Sequence, residues 1–192
     1  MDHNAPVTTD DPLLTPTRRA LLAETRRAVL VTLGSSRRLR PVPVCFAVSP
    51  PPADVVWTPI DEKPKRSEGA GRLARVRDIL SNPTVAVLAD RWDEDWSRLA
   101  WLRLEGEATL LEPPRETGAS GENEREHARA VVALRARYPQ YASHALERLP
   151  VIRIAVTRAV EWEAAGDASG SAAGATPTRS DGGGLGERDD GR

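Results

Sequence analysis

Residues 84–110 read TVAVLADRWDEDWSRLAWLRLEGEATL, and this stretch decides the fold class. Its first part, residues 84–89, is a short apolar run typical of a buried strand. Residues 102–110 alternate instead, with apolar side chains on one face and mainly charged ones on the other; the apolar set is Leu102, Leu104, Ala108 and Leu110. Such alternation predicts a strand with one face on the core and the other in water. A mostly antiparallel sheet is therefore expected.

Further strands are predicted on both sides of this stretch. They cover residues 28–33, 42–48, 55–58 and 151–163, with Pro43 favouring an edge position because proline donates no ladder hydrogen bond. In the last strand one face is expected to carry five apolar side chains, namely Ile152, Ile154, Val156, Val160 and Trp162. Helical spacing predicts helices over residues 16–27, 71–81, 122–137 and 141–149.

The order of these elements favours a small barrel. Strands and helices do not alternate regularly, which argues against a doubly wound parallel sheet. Six strands of this length close a barrel whose interior is filled by side chains. The predicted class is mostly β with accessory helices (α+β), in a six-stranded barrel that leaves ligands to bind outside it or between subunits.

Composition sets the boundaries of the folded part. The chain has 192 residues, of which 40% are hydrophobic and 29% charged, and this fits one domain with short appendages. Residues 1–12 are polar, and residues 165–192 are rich in Gly, Ser, Ala and Asp without apolar periodicity. A flexible N-terminus, a folded domain over residues 13–164 and a disordered tail are therefore expected.

Several function classes are disfavoured by the sequence. Apolar runs are too short for a membrane span, and residues 1–12 lack the features of a secretory signal, so a cytoplasmic protein is expected. Cys45 is the only cysteine, and the three histidines show no ligand spacing, so neither a disulfide nor a metal site is expected. The net charge of −1 argues against nucleic-acid binding.

Two segments carry the side chains that suit a ligand. Lys63 and Lys65 are the only lysines among 27 basic residues, and with Arg66 they follow the predicted strand at 55–58. Such a cluster suits a phosphate or a carboxylate, although a solvated loop balanced by nearby acids is an alternative. Trp92 is placed to stack on a planar ring or to anchor its loop on the core. No catalytic triad or glycine-rich phosphate loop is recognisable.

The order of four motifs carries a family resemblance. They are KPKR at 63–66, LARVRDILSNP at 73–83, TVAVLAD at 84–90 and RWDEDWSRLAWLRLEGEA at 91–108. Together they resemble the pyridoxamine 5′-phosphate oxidase-like split-barrel proteins, and most of all the actinobacterial subgroup described as probable coenzyme F420-dependent enzymes. The similarity spans residues 13–162.

The resemblance implies an FMN-binding-type split barrel that forms a homodimer, with the cofactor at the subunit interface. The cofactor phosphate is then expected at Lys63, Lys65 and Arg66, and the backbone of Thr58 and Pro59 is expected at the ring edge. Val42 and Val44 are expected beneath the ring, and Arg40 near the acidic tail of the cofactor. Trp162 is the aromatic residue of the last strand that is expected near the cofactor groove.

The activity implied by the resemblance is hydride transfer between reduced coenzyme F420 and a conjugated small organic acceptor. The alternatives are an FMN-binding oxidoreductase of the same fold and a carrier that binds flavin or deazaflavin without turnover. Vitamin B6 oxidation is disfavoured because the chain ends in a glycine-rich acidic tail in place of the basic and aromatic residues that bind the pyridoxal phosphate substrate.

Overall fold

The described part of the chain contains seven strands and three α-helices. The computed structural model describes residues 12–60, 73–114 and 121–164. The strands are β1 (Ala28–Leu33), β2 (Leu39–Val44), β3 (Ala47–Val48), β4 (Val55–Pro59), β5 (Thr84–Arg91), β6 (Ala100–Leu111) and β7 (Val151–Glu163). The α-helices are α1 (Pro16–Glu24), α2 (Ala74–Ser81) and α3 (Glu122–Arg137). The class is mostly β with accessory helices, as the sequence predicts.

All seven strands form one antiparallel sheet, in the order β2-β1-β5-β6-β7-β4-β3. β2 and β3 lie at its opposite edges, yet only Cys45 and Phe46 separate them along the chain. Because consecutive Cα atoms are about 3.8 Å apart, Val44 and Ala47 lie within about 11 Å of each other. The sheet therefore curls until its two edges are close, and the split of the barrel lies between them.

The structure has seven strands where the sequence predicts six. The apolar run at 42–48 is divided into β2 and β3, and β2 begins earlier, at Leu39. Between the two strands, the backbone N–H of Phe46 donates to the hydroxyl of Tyr138 at 3.0 Å. The alternation keeps the same phase on both sides of the break, because Val44, Phe46 and Val48 all pack on one cluster. For that reason the sequence pattern does not reveal the break.

Each face of the sheet packs on a separate apolar cluster. The inner cluster is formed mainly by β1, β5, β6 and β7 and includes the fully buried Leu30, Leu102 and Ile154. The second cluster lies between β4 and α3, where Trp57 meets Leu134 and its neighbours. β4 contributes to both clusters because its alternate side chains point to opposite faces.

A β-bulge interrupts the long pairing of β6 with β7. The register shifts between Glu105 and Gly106, which leaves Thr157 as the extra residue of β7. A Cβ at position 106 would lie 2.2 Å from the backbone oxygen of Ala155, so only glycine fits there. An isolated glycine in an alternating strand is a sequence signal for such a bulge.

The bulge changes the phase of β7. Ile152, Ile154 and Val156 belong to the inner cluster. Beyond the extra residue, Val160 and Trp162 pair with residues of the outer face of β6, namely Arg103 and Trp101. The prediction that all five apolar side chains share one face is therefore wrong for Val160 and Trp162.

Two predicted helices end or form differently in the structure. α1 ends at Glu24 and not at residue 27, because the backbone of Thr25 is extended, with φ −78° and ψ 117°. The segment 141–149 forms two 3-10 turns, Pro139–Ser143 and Leu146–Arg148. Arg135 of α3 donates to backbone carbonyls of this segment, which holds it without regular helical bonds.

Candidate functional site

The split of the barrel lies between β2 and the end of β4. β2 is an edge strand that pairs with β1, and its inner residues Val42 and Val44 are half-buried. β3 pairs with β4 only at Val56 and Trp57, so the rest of β4 extends beyond it. Five residues singled out by the sequence lie on the two strands that flank the split: Arg40, Val42, Val44, Thr58 and Pro59.

Thr58 has an unusual environment at this position. Thr58 is 1% exposed, and its hydroxyl Oγ1 is buried without a hydrogen-bond partner among the described residues. Buried hydroxyls normally have a partner, since an unpaired one loses its bonds to water without replacement. The neighbouring Val56 and Ile60 belong to the inner cluster. Thr58 is therefore a polar group held inside an apolar barrel.

The hydroxyl of Tyr138 holds the break between β2 and β3 in place. It accepts the Phe46 N–H and lies 3.0 Å from the carbonyl oxygens of Phe46 and Arg26. The guanidinium of Arg137 donates to the same hydroxyl and lies 4.7 Å from the centre of the Phe46 ring. The C-terminal end of α3 thus fixes the chain where the barrel splits.

Arg40 has a structural partner. Its Nε donates to Oδ2 of Asp78 at 2.8 Å, and the same oxygen accepts the hydroxyl of Thr32 at 2.8 Å. Asp78 belongs to α2 and is only 6% exposed, so Arg40 neutralises a buried carboxylate. The Arg40 side chain remains 44% exposed. The guanidinium is therefore accessible to an anionic ligand from the solvent.

The predicted phosphate-binding cations lie outside the described residues. Lys63, Lys65 and Arg66 follow Ile60 in the chain, and the description resumes at Leu73, just before α2. Their role stays a prediction.

Trp162 and Trp92 do not lie beside Thr58 in this chain. Thr58 pairs with Ile152 at the start of β7, whereas Trp162 is ten residues further on, about 30 Å of strand. Trp162 lines a cavity of about 380 Å³ between α1 and the ends of β6 and β7. Trp92 lines a neighbouring cavity of about 370 Å³, and Arg91 contributes to both.

The guanidinium of Arg91 is fixed between these two cavities. It donates to Glu24 of α1 at 3.0 Å and to Glu163 of β7 at 2.7 Å. Its Nε donates to the carbonyl of Arg98. The hydrogen bond to Glu24 is the main cause that raises the pKa of Arg91, followed by the hydrogen bond to Glu163.

Sequence reasoning missed the charged residues of these cavities. Glu24, Arg91, Glu161 and Glu163 come from separate parts of the chain, and no local spacing connects them. Among residues 12–60, 73–114 and 121–164, no group of three or more His, Cys, Asp and Glu side chains is arranged to hold a metal ion. Within the same ranges, no helix combines the length and apolar character needed to span a membrane.

Comparison with known proteins identifies the fold. No protein-family model matches the sequence, and no curated protein is recognisably similar to it. Solved structures do match. A conserved hypothetical protein from Mycobacterium tuberculosis is 17% identical, with a TM-score of 0.60 over 88% of this chain and 98% of its own.

Two further neighbours carry names that refer to a ligand. A heme storage protein from Vibrio cholerae is 12% identical, with a TM-score of 0.54 over 80% of this chain and 95% of its own. An FAD-binding protein from Mesorhizobium loti is 14% identical, with a TM-score of 0.51 over 74% of this chain and 89% of its own. The chain has the same fold as these neighbours. At such low identity the likeness of this split barrel to them shows the fold alone.

Proposed function

We propose that this split barrel is a coenzyme F420-dependent oxidoreductase, which transfers a hydride between the reduced deazaflavin and a conjugated small organic acceptor. The observation that carries the proposal is the split between β2 and the end of β4. The only two lysines of the chain, Lys63 and Lys65, follow β4 in the sequence. The motif order over residues 63–108 supports the deazaflavin. A solved neighbour described as FAD-binding supports a flavin-type ligand.

The residues around the split fit such a cofactor chemically. Lys63, Lys65 and Arg66 would bind its phosphate, since three cations within four residues can each donate a charge-assisted hydrogen bond. Val42 and Val44 would lie beneath the ring, because their half-buried side chains offer an apolar surface at the sheet edge.

The other residues of the split would complete the site. The backbone of Thr58 and Pro59 extends beyond β3 and would lie at the ring edge. The half-exposed guanidinium of Arg40 would meet the acidic tail of the cofactor. When bound, the deazaflavin supplies the carbon that carries the hydride, while the protein orients the reactants and excludes water. Trp92 and Trp162 line other cavities of the chain, and their contact with the cofactor stays a prediction.

A second copy of the chain is proposed to cover the outer face of the sheet. Val29 and Val31 of β1 pair with Pro43 and Pro41 of β2, and Val29 also pairs with Leu88 of β5. These five side chains share one face and form a continuous apolar strip, in which Leu88 is 39% exposed. Such a strip on the outside of a small domain is typical of a protein interface. We infer a homodimer with the cofactor bound beside this contact.

Titration with oxidised coenzyme F420 and, in parallel, with FMN tests the cofactor proposal. We expect the change in cofactor fluorescence to report micromolar or tighter binding of F420, about −8 kcal/mol, and weaker binding of FMN. Lys63→Ala and Lys65→Ala should each weaken binding by about 1.5–3 kcal/mol, because each removes a charged hydrogen bond. The exposed Arg148→Ala serves as the charge-matched control and should bind as the wild type does. Unchanged affinity in the double lysine variant would remove these residues from the site.

Light scattering at micromolar concentration tests the dimer. Leu88→Lys places a charge in the apolar strip and should yield a monomer, because a buried unpaired charge is costly. Val132→Lys is the matched control, since Val132 is 69% exposed on α3, away from the strip. A wild-type monomer would contradict the proposal, and so would a dimer unaffected by Leu88→Lys.

A carrier is the second candidate, because one solved neighbour is described as a heme storage protein. A carrier of flavin or deazaflavin would bind its ligand at the same split and show no turnover. Stopped-flow oxidation of reduced F420 across a panel of conjugated acceptors separates the two functions. Preference for FMN in the titration would instead favour an FMN-dependent oxidoreductase.

A further inference from the structure

Arg40 is held in a fixed position by a carboxylate that lies inside the protein. Asp78 of α2 is 6% exposed, and its Oδ2 accepts the Nε–H of Arg40 at 2.8 Å. The same oxygen accepts the hydroxyl of Thr32 at 2.8 Å. Thr32 is buried and lies directly opposite Arg40 in the pairing of β1 with β2. Two neighbouring strands and a helix therefore meet at the Nε of Arg40.

Gly34 closes a further side of this arrangement. A Cβ at position 34 would lie 3.1 Å from Nη2 of Arg40 and 3.2 Å from Oδ1 of Asp78, which is tighter than an ordinary contact. Gly34 itself is fixed by the hairpin between β1 and β2, where its N–H donates to the carbonyl of Arg38 at 3.0 Å. The guanidinium thus packs on the hairpin backbone, and the fold sets its direction.

The terminal edge of the Arg40 guanidinium has no partner among the described residues. A guanidinium has five N–H donors, and Asp78 takes the one on Nε. The four donors on Nη1 and Nη2 make no hydrogen bond within residues 12–60, 73–114 and 121–164. The side chain is 44% exposed, so a ligand can reach these donors from the solvent. Such a planar pair of nitrogens binds a carboxylate through two parallel hydrogen bonds.

The surroundings of this terminal edge are positively charged. Residues 28–44, which form β1, the hairpin and β2, contain three arginines and no acidic residue. Two of these arginines, Arg37 and Arg38, are exposed in the hairpin. Asp78 is the single acidic residue of α2, and Arg40 neutralises it. The hairpin therefore keeps an excess positive charge, which attracts an anion.

Arg40 lies on the same face of β2 as the two valines proposed beneath the cofactor ring. Arg40, Val42 and Val44 alternate along this strand, and successive side chains on one face are about 7 Å apart. An anion bound to Arg40 therefore lies beside the proposed ring site, at its hairpin end. The part of the ligand that reaches Arg40 is the part that extends from the ring toward the hairpin.

We propose that Asp78 is a positioning residue, and that the terminal edge of Arg40 which it orients binds a carboxylate in the glutamate tail of the cofactor. This inference rests on the proposed function. It names the part of the site that favours coenzyme F420 over FMN, since FMN has no glutamate tail. Asp78 acts through Arg40, because it takes the Nε–H and leaves the two Nη groups for the ligand.

Fluorescence titration with two forms of coenzyme F420 tests the proposal. One form carries several glutamates, and the other keeps the phosphate but carries no glutamate. We expect the wild type to bind the form with glutamates about tenfold more tightly, because one bidentate charged contact is added. Arg40→Gln should bring this affinity ratio close to one.

Asp78→Asn separates the effect of position from that of charge. The substitution removes a negative charge beside Arg40, so the affinity ratio would rise if local charge alone decided it. If Asp78 orients Arg40, the ratio falls instead, and we expect about threefold or less. Gly34→Ala changes no charge and should also lower the ratio, because its methyl group displaces Nη2. This second variant tests the proposal even if Asp78→Asn does not fold.

The matched control is Glu126→Gln. The Glu126 side chain is 14% exposed and likewise accepts the Nε–H of an arginine, that of Arg153 at 3.0 Å. Glu126 also accepts the indole N–H of Trp57, in the cluster on the other face of the sheet. Its substitution should lower stability but leave the affinity ratio unchanged. Circular dichroism verifies that each variant is folded.

A titration without cofactor keeps this inference separate from the proposed function. A γ-linked triglutamate peptide is added to the ¹⁵N-labelled protein, and the Nε–H signal of Arg40 is followed by NMR. We expect this signal to shift with triglutamate and to stay in place with a triglutamine peptide of the same linkage. If the signal shifts but F420 does not bind, the proposed oxidoreductase is rejected and the carboxylate site stands.

Three outcomes would overturn the inference. They are equal affinity of the wild type for the two forms of F420, an affinity ratio that is unchanged or raised in Asp78→Asn, and an Arg40 signal that does not respond to triglutamate. If F420 binds while one of these is observed, the proposed function stands without this role for Asp78.

Discussion

Tyr138→Phe removes one oxygen atom from the place where the barrel splits. The hydroxyl accepts the backbone N–H of Phe46 at 3.0 Å and the Nε–H of Arg137 at 3.1 Å. It has one proton to donate, which reaches the carbonyl of Phe46 or that of Arg26, each at 3.0 Å. The hydroxyl thus takes part in three hydrogen bonds at a time. Phenylalanine keeps the ring and its packing, so the substitution isolates the hydroxyl.

The loss of stability follows from what each partner can do afterwards. The Phe46 N–H is buried and lies between two strands, so it loses its partner, at a cost of about 1–3 kcal/mol. Arg137 still donates to the carbonyls of Leu22 and Thr25, and the remaining bonds are worth about 1 kcal/mol. We expect the free energy of unfolding to fall by about 2–4 kcal/mol. For a domain of this size the melting temperature should fall by about 4–16 °C.

Urea unfolding followed by circular dichroism measures this difference directly. The control on the same helix is Val132→Ala, whose side chain is 69% exposed and should change stability by less than about 0.5 kcal/mol. Because β2 flanks the proposed cofactor site, Tyr138→Phe should also weaken F420 binding. A variant as stable as the wild type would refute the argument that this hydroxyl satisfies the strand break.

Three further substitutions test other features. Gly106→Ala should destabilise the protein by about 3 kcal/mol or more, because its Cβ would meet the backbone oxygen of Ala155 at 2.2 Å; thermal unfolding of the purified variant measures this. Thr58→Val should raise the free energy of unfolding by about 1 kcal/mol, since it removes a buried hydroxyl that has no partner within residues 12–60, 73–114 and 121–164; a loss in urea unfolding would indicate that the hydroxyl is bonded. The hydrogen bond from the backbone N–H of Glu147 is the main cause that lowers the pKa of the Glu147 carboxyl, and Arg135 contributes. The ionised carboxylate therefore stabilises the fold above its unfolded pKa, and this stabilisation is lost as the pH falls through the folded pKa. Glu147→Gln should therefore lower the melting temperature at pH 7 and have a smaller effect at pH 3, and an equal effect at both would contradict the argument.

The sequence predicts the strands well because each has a strong local pattern. β1, β5 and β6 follow directly from apolar runs and period-two alternation, and the burial of Leu102 and Leu104 confirms the predicted inner face of β6. The break at Cys45 is not visible, because what separates β2 from β3 is a hydrogen bond to Tyr138, about ninety residues away. Local patterns carry no information on such a contact.

The candidate site is predictable to a smaller extent. The sequence singles out residues on the strands that flank the split, such as Val42 and Thr58, through a resemblance to other split barrels. The change of face of Trp162 has one sequence signal, Gly106, but this glycine lies in β6 and does not show which residue of β7 is the extra one. The cavity between α1 and the ends of β6 and β7 is not predictable from the sequence either, since Glu24 and Glu163 are far apart in the chain and meet at Arg91.

The short strand β3 is only weakly paired with its neighbour β4, beside the split of the barrel. Only Ala47 and Val48 pair with β4, so few backbone hydrogen bonds hold this edge, whereas β6 and β7 pair along their full length. Regions with few such bonds open locally far more often than the whole molecule unfolds. The pairing of Ala47 and Val48 with β4 is therefore expected to open locally, and amide exchange should be fast along this edge. A ligand that enters between β2 and β4 would pass beside it.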